Sequence, residues 1–120
     1  MNIRKLSEEA GRTRRALGYS LAGLRYGLKE PAFRLELLLA AALAPLAFWV
    51  GETPAERALL IACLWLVLVV ELLNTAIERT VDRISTEQHE LSKKAKDMGS
   101  AAVFLSLCGT GMVWLIIWVG

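Results

Sequence analysis

The 120 residues contain one histidine and two cysteines. They contain no Gly-x-x-x-x-Gly-Lys-[Ser/Thr] loop, no glycine-rich nucleotide flap and no His-Arg-Asp catalytic loop. Nucleotide chemistry of the common soluble designs is therefore excluded. His89 has no second His or Cys at a ligand spacing, which argues for an ordinary surface imidazole over a zinc ligand. Cys63 and Cys108 each fall in an apolar stretch, where reduced thiols are expected and a disulfide or metal site is not. Residues 1–34 lack a compact apolar segment followed by a small-residue cleavage site, so the N-terminus is expected to be retained.

What the chain has in quantity is apolar surface: 55% of residues are hydrophobic, yet 22% are charged and the net charge is only +2. The charges must be segregated. Three apolar stretches have lengths near the roughly 20 residues needed to cross a bilayer, and they predict transmembrane helices at 34–50, 58–78 and 101–119. The first is short and carries Glu36 and Pro45; the third is free of charge. Residues 4–29 read as an amphipathic surface helix, because Leu6, Ala10, Leu17, Leu21, Leu24 and Leu28 recur at helical spacing among Arg12, Arg14, Arg15 and Arg25. Glu30-Pro31 predicts a break, with Pro31 in the first turn of the next helix. The expected fold class is an all-α membrane protein in one domain.

Cation placement predicts orientation. Eight Lys and Arg residues lie before or at the start of the first span, the eighth being Arg34, and five lie between the second and third, whereas only Arg57 lies in the first connecting loop and none follows the third span. The N-terminus and the loop from Arg79 to Ser100 are expected in the cytoplasm, with the C-terminus outside.

Within the second span stands Glu71. An ionised acid at mid-membrane costs on the order of 3 kcal/mol on insertion scales, so it is a functional candidate by default. Asn74, Glu78 and Asp82 follow at directions of about −60°, −20° and +20° from Glu71, forming one polar face. Such a stripe can also serve only to hold helices together, although one Asn or Ser usually suffices for that. Glu71 lies about 10 Å deeper than Glu78. The stretch 82–100 adds Glu87, His89, Glu90, Lys93, Lys94, Lys96 and Asp97. Lys93 and Lys94 have a plain reading as anchors to phosphate headgroups. Lys96 and Asp97 are expected to enter a helix start, where a nucleotide phosphate or its metal would be held. Oxygen ligands for a hard cation, a lysine for phosphate and a buried acid facing lipid together fit phosphoryl transfer with Mg²⁺ held by carboxylates and substrate phosphates.

Specific runs carry a resemblance: Gly18-Tyr19-Ser20, Gly23-Leu24-Arg25, Ala32-Phe33-Arg34 with Glu36, Val70 through Glu78, Val81-Asp82-Arg83-Ile84, His89-Glu90-Leu91-Ser92, and Ala95 through Ala102. Over nearly its whole length the chain resembles the bacterial integral-membrane diacylglycerol kinases. The resemblance implies a homotrimer of three-span subunits with active sites between protomers, in the bacterial inner membrane. The implied reaction transfers the γ-phosphoryl of MgATP to diacylglycerol, giving phosphatidate. By the same resemblance the catalytic base falls on Glu71 and the metal carboxylates on Glu30 and Glu78. ATP contacts fall on Tyr19, Glu30, Glu78, Glu87, His89, Lys96 and Asp97, and lipid-substrate contacts on Arg12, Arg25, Arg34, Glu36, Asn74, Ser100 and Trp114. Mg²⁺ is the expected cofactor, and nucleic acid is not an expected partner. The chain departs from the family pattern twice: the stretch from Arg25 to Glu30 is one residue shorter, and Gln88 stands where an aromatic residue is expected. Two alternatives stand beside this reading. One is an undecaprenol kinase of the same mechanism; the other is a small oligomeric transporter or adaptor in which Glu71 relays a proton or cation.

Overall fold

The computed structural model describes residues 2–84 and 87–120. Four helices follow one another, α1 (Ile3–Gly27), α2 (Pro31–Val50), α3 (Pro54–Ile84) and α4 (Glu90–Val119), with no strand among the described residues. α2, α3 and α4 are each long and apolar enough to cross a membrane. The chain is a multi-pass membrane protein, as its apolar stretches predict.

The α2–α3 connection is a tight turn built by side chains. Thr53 Oγ1 accepts from Glu56 N at 3.2 Å, while Glu56 Oε2 accepts from Thr53 N at 3.3 Å and from Glu52 N at 2.7 Å. This is a reciprocal capping box that satisfies the free N–H groups of the α3 start, with Pro54 in its first turn. Arg57 Nε donates to Gly51 O at 3.0 Å and closes the turn. A Cβ on Gly51 would lie 2.7 Å from Arg57 Cγ, so the turn needs glycine there for space.

The α1–α2 joint is equally short. Leu28 N, Lys29 N and Glu30 N all donate back to the last turn of α1, leaving none of these donors unpaired. Glu30 is extended, as a residue before proline should be. Gly27 is the buried residue of α1, and a Cβ there would stand 2.6 Å from Leu72 Cδ2 on α3. The helix thus meets the bundle at its C-terminal end, and that contact places Glu30.

α3 is the centre of the bundle and packs against both α2 and α4. Its buried residues are Leu60, Leu64, Val67, Glu71 and Asn74. Their spacing of four, three, four and three is that of a packing seam between nearly parallel or antiparallel helices. On the α4 side, Trp114 Nε1 donates to Leu60 O at 3.2 Å and Thr110 Oγ1 to Cys63 O at 3.2 Å. Small polar links of this kind hold helices together where lipid offers no hydrophobic drive.

Candidate active site

The packing seam explains where the buried acid points. Glu71 and Asn74 continue the row begun by Leu60, Leu64 and Val67, and they are only 6% and 8% exposed. The expectation of an acid facing lipid is therefore corrected: Glu71 faces its own bundle. The 3.5-residue repeat that buries leucines lower on α3 carries the carboxylate inward as well.

From α2, Glu36 comes close enough to this position for its carboxyl group and that of Glu71 to act on each other. Glu30 and Glu78 lie close enough for their charges to act on Glu71. Carboxyl groups from the α1–α2 joint, α2 and α3 thus lie within electrostatic reach of Glu71.

Asn74 links Glu71's surroundings to Glu78, donating from Nδ2 to Glu78 Oε1 at 3.4 Å. Its other amide atom, Oδ1, and Glu36 Oε2 are both buried without a hydrogen-bond partner among the described residues. A buried polar atom left unpaired costs about 1–3 kcal/mol, so both atoms favour a donor brought by a ligand or water. Opposite Asn74 is Gly99 of α4, itself buried. A Cβ built on Gly99 would fall on Asn74 Oδ1 and stand 3.4 Å from Asn74 Cγ. The amide fits because α4 has no side chain there.

Beside this cluster, Arg79 Nη2 donates to Glu30 Oε1. The pair borders a cavity of about 1010 Å³ between α1 and α3, with Leu24, Trp65, Val69 and Leu72 on its apolar wall and Lys29 near the charged end.

A second cavity, of about 600 Å³, lies at the polar ends of α3 and α4. Its lining includes Asp82, Glu87, His89, Lys93, Lys96 and Asp97. Lys96 Nζ pairs with Asp82 Oδ1 at 2.5 Å across the two helices, and Lys93 Nζ donates to Asp97 Oδ2 at 2.6 Å. The expectation that Lys96 and Asp97 enter a helix start is corrected: α4 begins at Glu90, and both residues lie well inside it. The reason is His89, whose Nδ1 accepts from Leu91 N at 3.1 Å and caps the helix. Any phosphate held here meets side chains of α4 rather than its free N–H groups. The sequence showed His89 as a surface imidazole; its capping role depends on where the helix starts.

Glu36, Glu71, Asn74 and Glu78 therefore lie near one another with Glu30 at their edge on Arg79, and Glu87, His89, Lys96 and Asp97 share the neighbouring cavity. The remaining residues do not join them within one chain. Arg12, Arg25, Arg34 and Ser100 are exposed, and Tyr19 is 74% exposed and lines neither cavity. Trp114 bonds Leu60, about three turns and 16 Å along α3 from Glu71. Arg79 and Gly99 were absent from the sequence-derived site: Arg79 lies outside the runs that carry the resemblance, and Gly99, although inside one, has no side chain to suggest a role; only helix packing reveals them.

The donor set suits a hard cation: clustered carboxylate oxygens and an unpaired amide oxygen. Among the described residues no group of three or more His, Cys, Asp or Glu is placed to hold a metal ion by itself. Mg²⁺ is commonly bound without one, through one or two carboxylates with substrate phosphates completing the shell.

The profile of the family described as prokaryotic diacylglycerol kinase matches residues 18–118. Among curated relatives, proteins named diacylglycerol kinase from Haemophilus influenzae and Pseudomonas aeruginosa are 56% identical over 97 residues and 53% identical over 106. These alignments cover 80% and 88% of this chain, and 82% and 86% of the relatives. The Escherichia coli K12 protein of the same name is 45% identical over 104 residues, covering 86% of this chain and 85% of its own. With a match that spans α2, α3 and nearly all of α4, and with the carboxyl cluster inside it, this chain belongs to the prokaryotic diacylglycerol kinase family.

Proposed function

We propose that the protein is a lipid kinase of the bacterial inner membrane that transfers the γ-phosphoryl of MgATP to the hydroxyl of diacylglycerol, yielding phosphatidate and ADP. Membership of the family supports the reaction class. The observation that carries the site is Glu71, buried on the seam of α3, within electrostatic reach of Glu36 and about 10 Å deeper than Glu78. An acceptor hydroxyl arriving from the bilayer and a phosphate arriving from the polar end would meet between these two carboxylates.

In this reading Glu71 removes the proton of the lipid hydroxyl as its oxygen forms a bond to the γ-phosphorus and the bond to ADP breaks. Glu36 fixes the Glu71 carboxyl from the opposite helix. Asn74 orients Glu78, and Glu30 and Glu78 would hold Mg²⁺. When bound, that ion neutralises phosphate charge that grows in the transition state. Lys96, with Asp97, Glu87, His89 and Tyr19, binds the nucleotide. An exposed ion pair contributes only about 0–1 kcal/mol, so Lys96 can exchange Asp82 for a phosphate at little cost. A homotrimer would bring Arg12, Tyr19, Arg25, Arg34, Ser100 and Trp114 of neighbouring copies toward the site. Their exposure or remoteness within one chain supports that assembly. The clustering of Lys and Arg at the N-terminus and the α3–α4 connection supports a cytoplasmic N-terminus and an external C-terminus.

The test is phosphate transfer from labelled ATP with Mg²⁺ in mixed micelles containing diacylglycerol and undecaprenol in competition. Label in phosphatidate is expected. Label in the polyprenol would keep the mechanism and change the substrate, whereas label in neither would return the transporter or adaptor reading. Glu71→Gln is expected to abolish turnover while MgATP binding persists, and a fully active variant would remove Glu71 as the base.

A further inference from the structure

We propose that Arg79 is a displaceable counter-ion, occupying Glu30 until a divalent cation arrives, so that metal entry proceeds by exchange with the guanidinium. The inference rests on the reading of Glu30 as a metal-binding carboxylate.

Four observations carry it. Glu30 is the N-cap residue of α2, yet its side chain makes no capping bond; it reaches across to α3 and takes Arg79 as its partner. Arg79 immediately follows Glu78, and consecutive residues on a helix point about 100° apart. While Arg79 holds Glu30, that carboxylate is drawn toward a different face of α3 from the one bearing Glu78. The lysines of the polar end are engaged elsewhere, Lys93 with Asp97, Lys94 with Glu90 and Lys96 with Asp82. Arg79 is thus the cation that the structure supplies to Glu30, in a cluster where Glu30, Glu36, Glu71 and Glu78 crowd together. Lastly, the Arg79 side chain is 69% exposed and borders the large α1–α3 cavity, so it has room to swing away once released.

Electrostatics makes the exchange feasible. A monovalent guanidinium in a partly exposed pair gains little net free energy, because water and salt screen it and its long side chain loses freedom. A divalent ion carries twice the charge to the same carboxylate oxygens and would compete with the guanidinium for them. Release of Glu30 from Arg79 then leaves the carboxylate free to turn toward Glu78, and the cluster keeps a counter-charge at every stage.

The experiment uses the full chain in detergent micelles without nucleotide and reads Mn²⁺ binding by the EPR signal of the free ion. Arg79→Gln is expected to tighten Mn²⁺ binding about two- to fivefold, the range expected for loss of a competing pair of this class. Arg83→Gln, with the same charge change one helical turn on, is expected to give less than half that gain. In the Glu30→Gln background, Arg79→Gln is expected to give no gain at all. Unchanged or weaker binding in Arg79→Gln overturns the proposal, as does an equal gain from Arg83→Gln or a gain that persists without the Glu30 carboxylate. Should Arg79→Gln fail to fold, Arg79→Met carries the test: it keeps side-chain length without the charge, so tighter Mn²⁺ binding than the parent is expected and equal binding overturns the proposal. Glu30→Gln alone separates the two readings. If it weakens Mn²⁺ binding while Arg79→Gln does nothing, only the exchange falls. If it leaves binding unchanged, the metal role of Glu30 falls and the exchange falls with it.

Discussion

Adding a single methyl group at Gly99 tests the geometry on which the site depends. A Cβ there would overlap Asn74 Oδ1, so either the amide must turn or α4 must move outward. Overpacking of this kind costs about 1–3 kcal/mol. Alanine's better helix propensity returns up to about 1 kcal/mol. The expected net loss for Gly99→Ala is therefore about 1–2 kcal/mol. Gly18 of α1 provides a control with the same chemistry, because a Cβ there meets nothing within 4 Å. Gly18→Ala should gain about 0.5–1 kcal/mol, opposite in sign. The assay is unfolding in mixed micelles by titration with sodium dodecyl sulfate, followed by helical circular dichroism. A second readout follows from the 3.4 Å bond between Asn74 and Glu78: displacing the amide should raise the Mg²⁺ concentration needed for half-maximal turnover in Gly99→Ala but not in Gly18→Ala. If Gly99→Ala is as stable as the parent with an unchanged Mg²⁺ requirement, the close approach of α3 and α4 at Asn74 is refuted.

Glu78→Gln should weaken Mg²⁺-dependent ATP binding about tenfold or more while leaving the fold intact, and calorimetry showing an unchanged Mg²⁺ requirement would contradict its ligand role. Trp114→Phe and Thr110→Val each remove one interhelical hydrogen bond to α3. Each should cost about 0.6 kcal/mol in the same micellar unfolding assay, with little change in the apparent KM for ATP.

Much of the architecture is legible in the sequence because membrane burial imposes long uninterrupted patterns. The three apolar stretches identify α2, α3 and α4, and Glu71 stands out because an acid in such a run is costly. The common face of Glu71, Asn74 and Glu78 is likewise legible, since it lies on one helix with a fixed angular period. What stays hidden is anything set by the register between helices. Glu36 meeting Glu71, Arg79 holding Glu30 and Gly99 accommodating Asn74 each join residues from separate elements, and no local pattern specifies which turn faces which. Helix starts are hidden for a related reason. The His89 cap moves the beginning of α4 ahead of Lys96, although histidine is not among the residues that usually signal a helix N-terminus.

The tight α2–α3 turn makes the hairpin a depth gauge. α2 has 20 residues and α3 has 31, so their lengths are about 30 Å and 46 Å. Because Gly51 to Thr53 ties them at one end, the whole difference of about 16 Å emerges at the other. Glu71 is consequently held about 26 Å along α3 from the turn, nearer the polar boundary of a hydrocarbon core roughly 30 Å thick than the mid-membrane depth expected from the sequence. Thickening the bilayer by a few ångströms would sink the carboxyl cluster among acyl chains, and thinning it would lift the cluster into the headgroups. On the proposed lipid-kinase reading, fatty-acid length in the host membrane would set how often an acceptor hydroxyl lies level with Glu71, without any change in the protein.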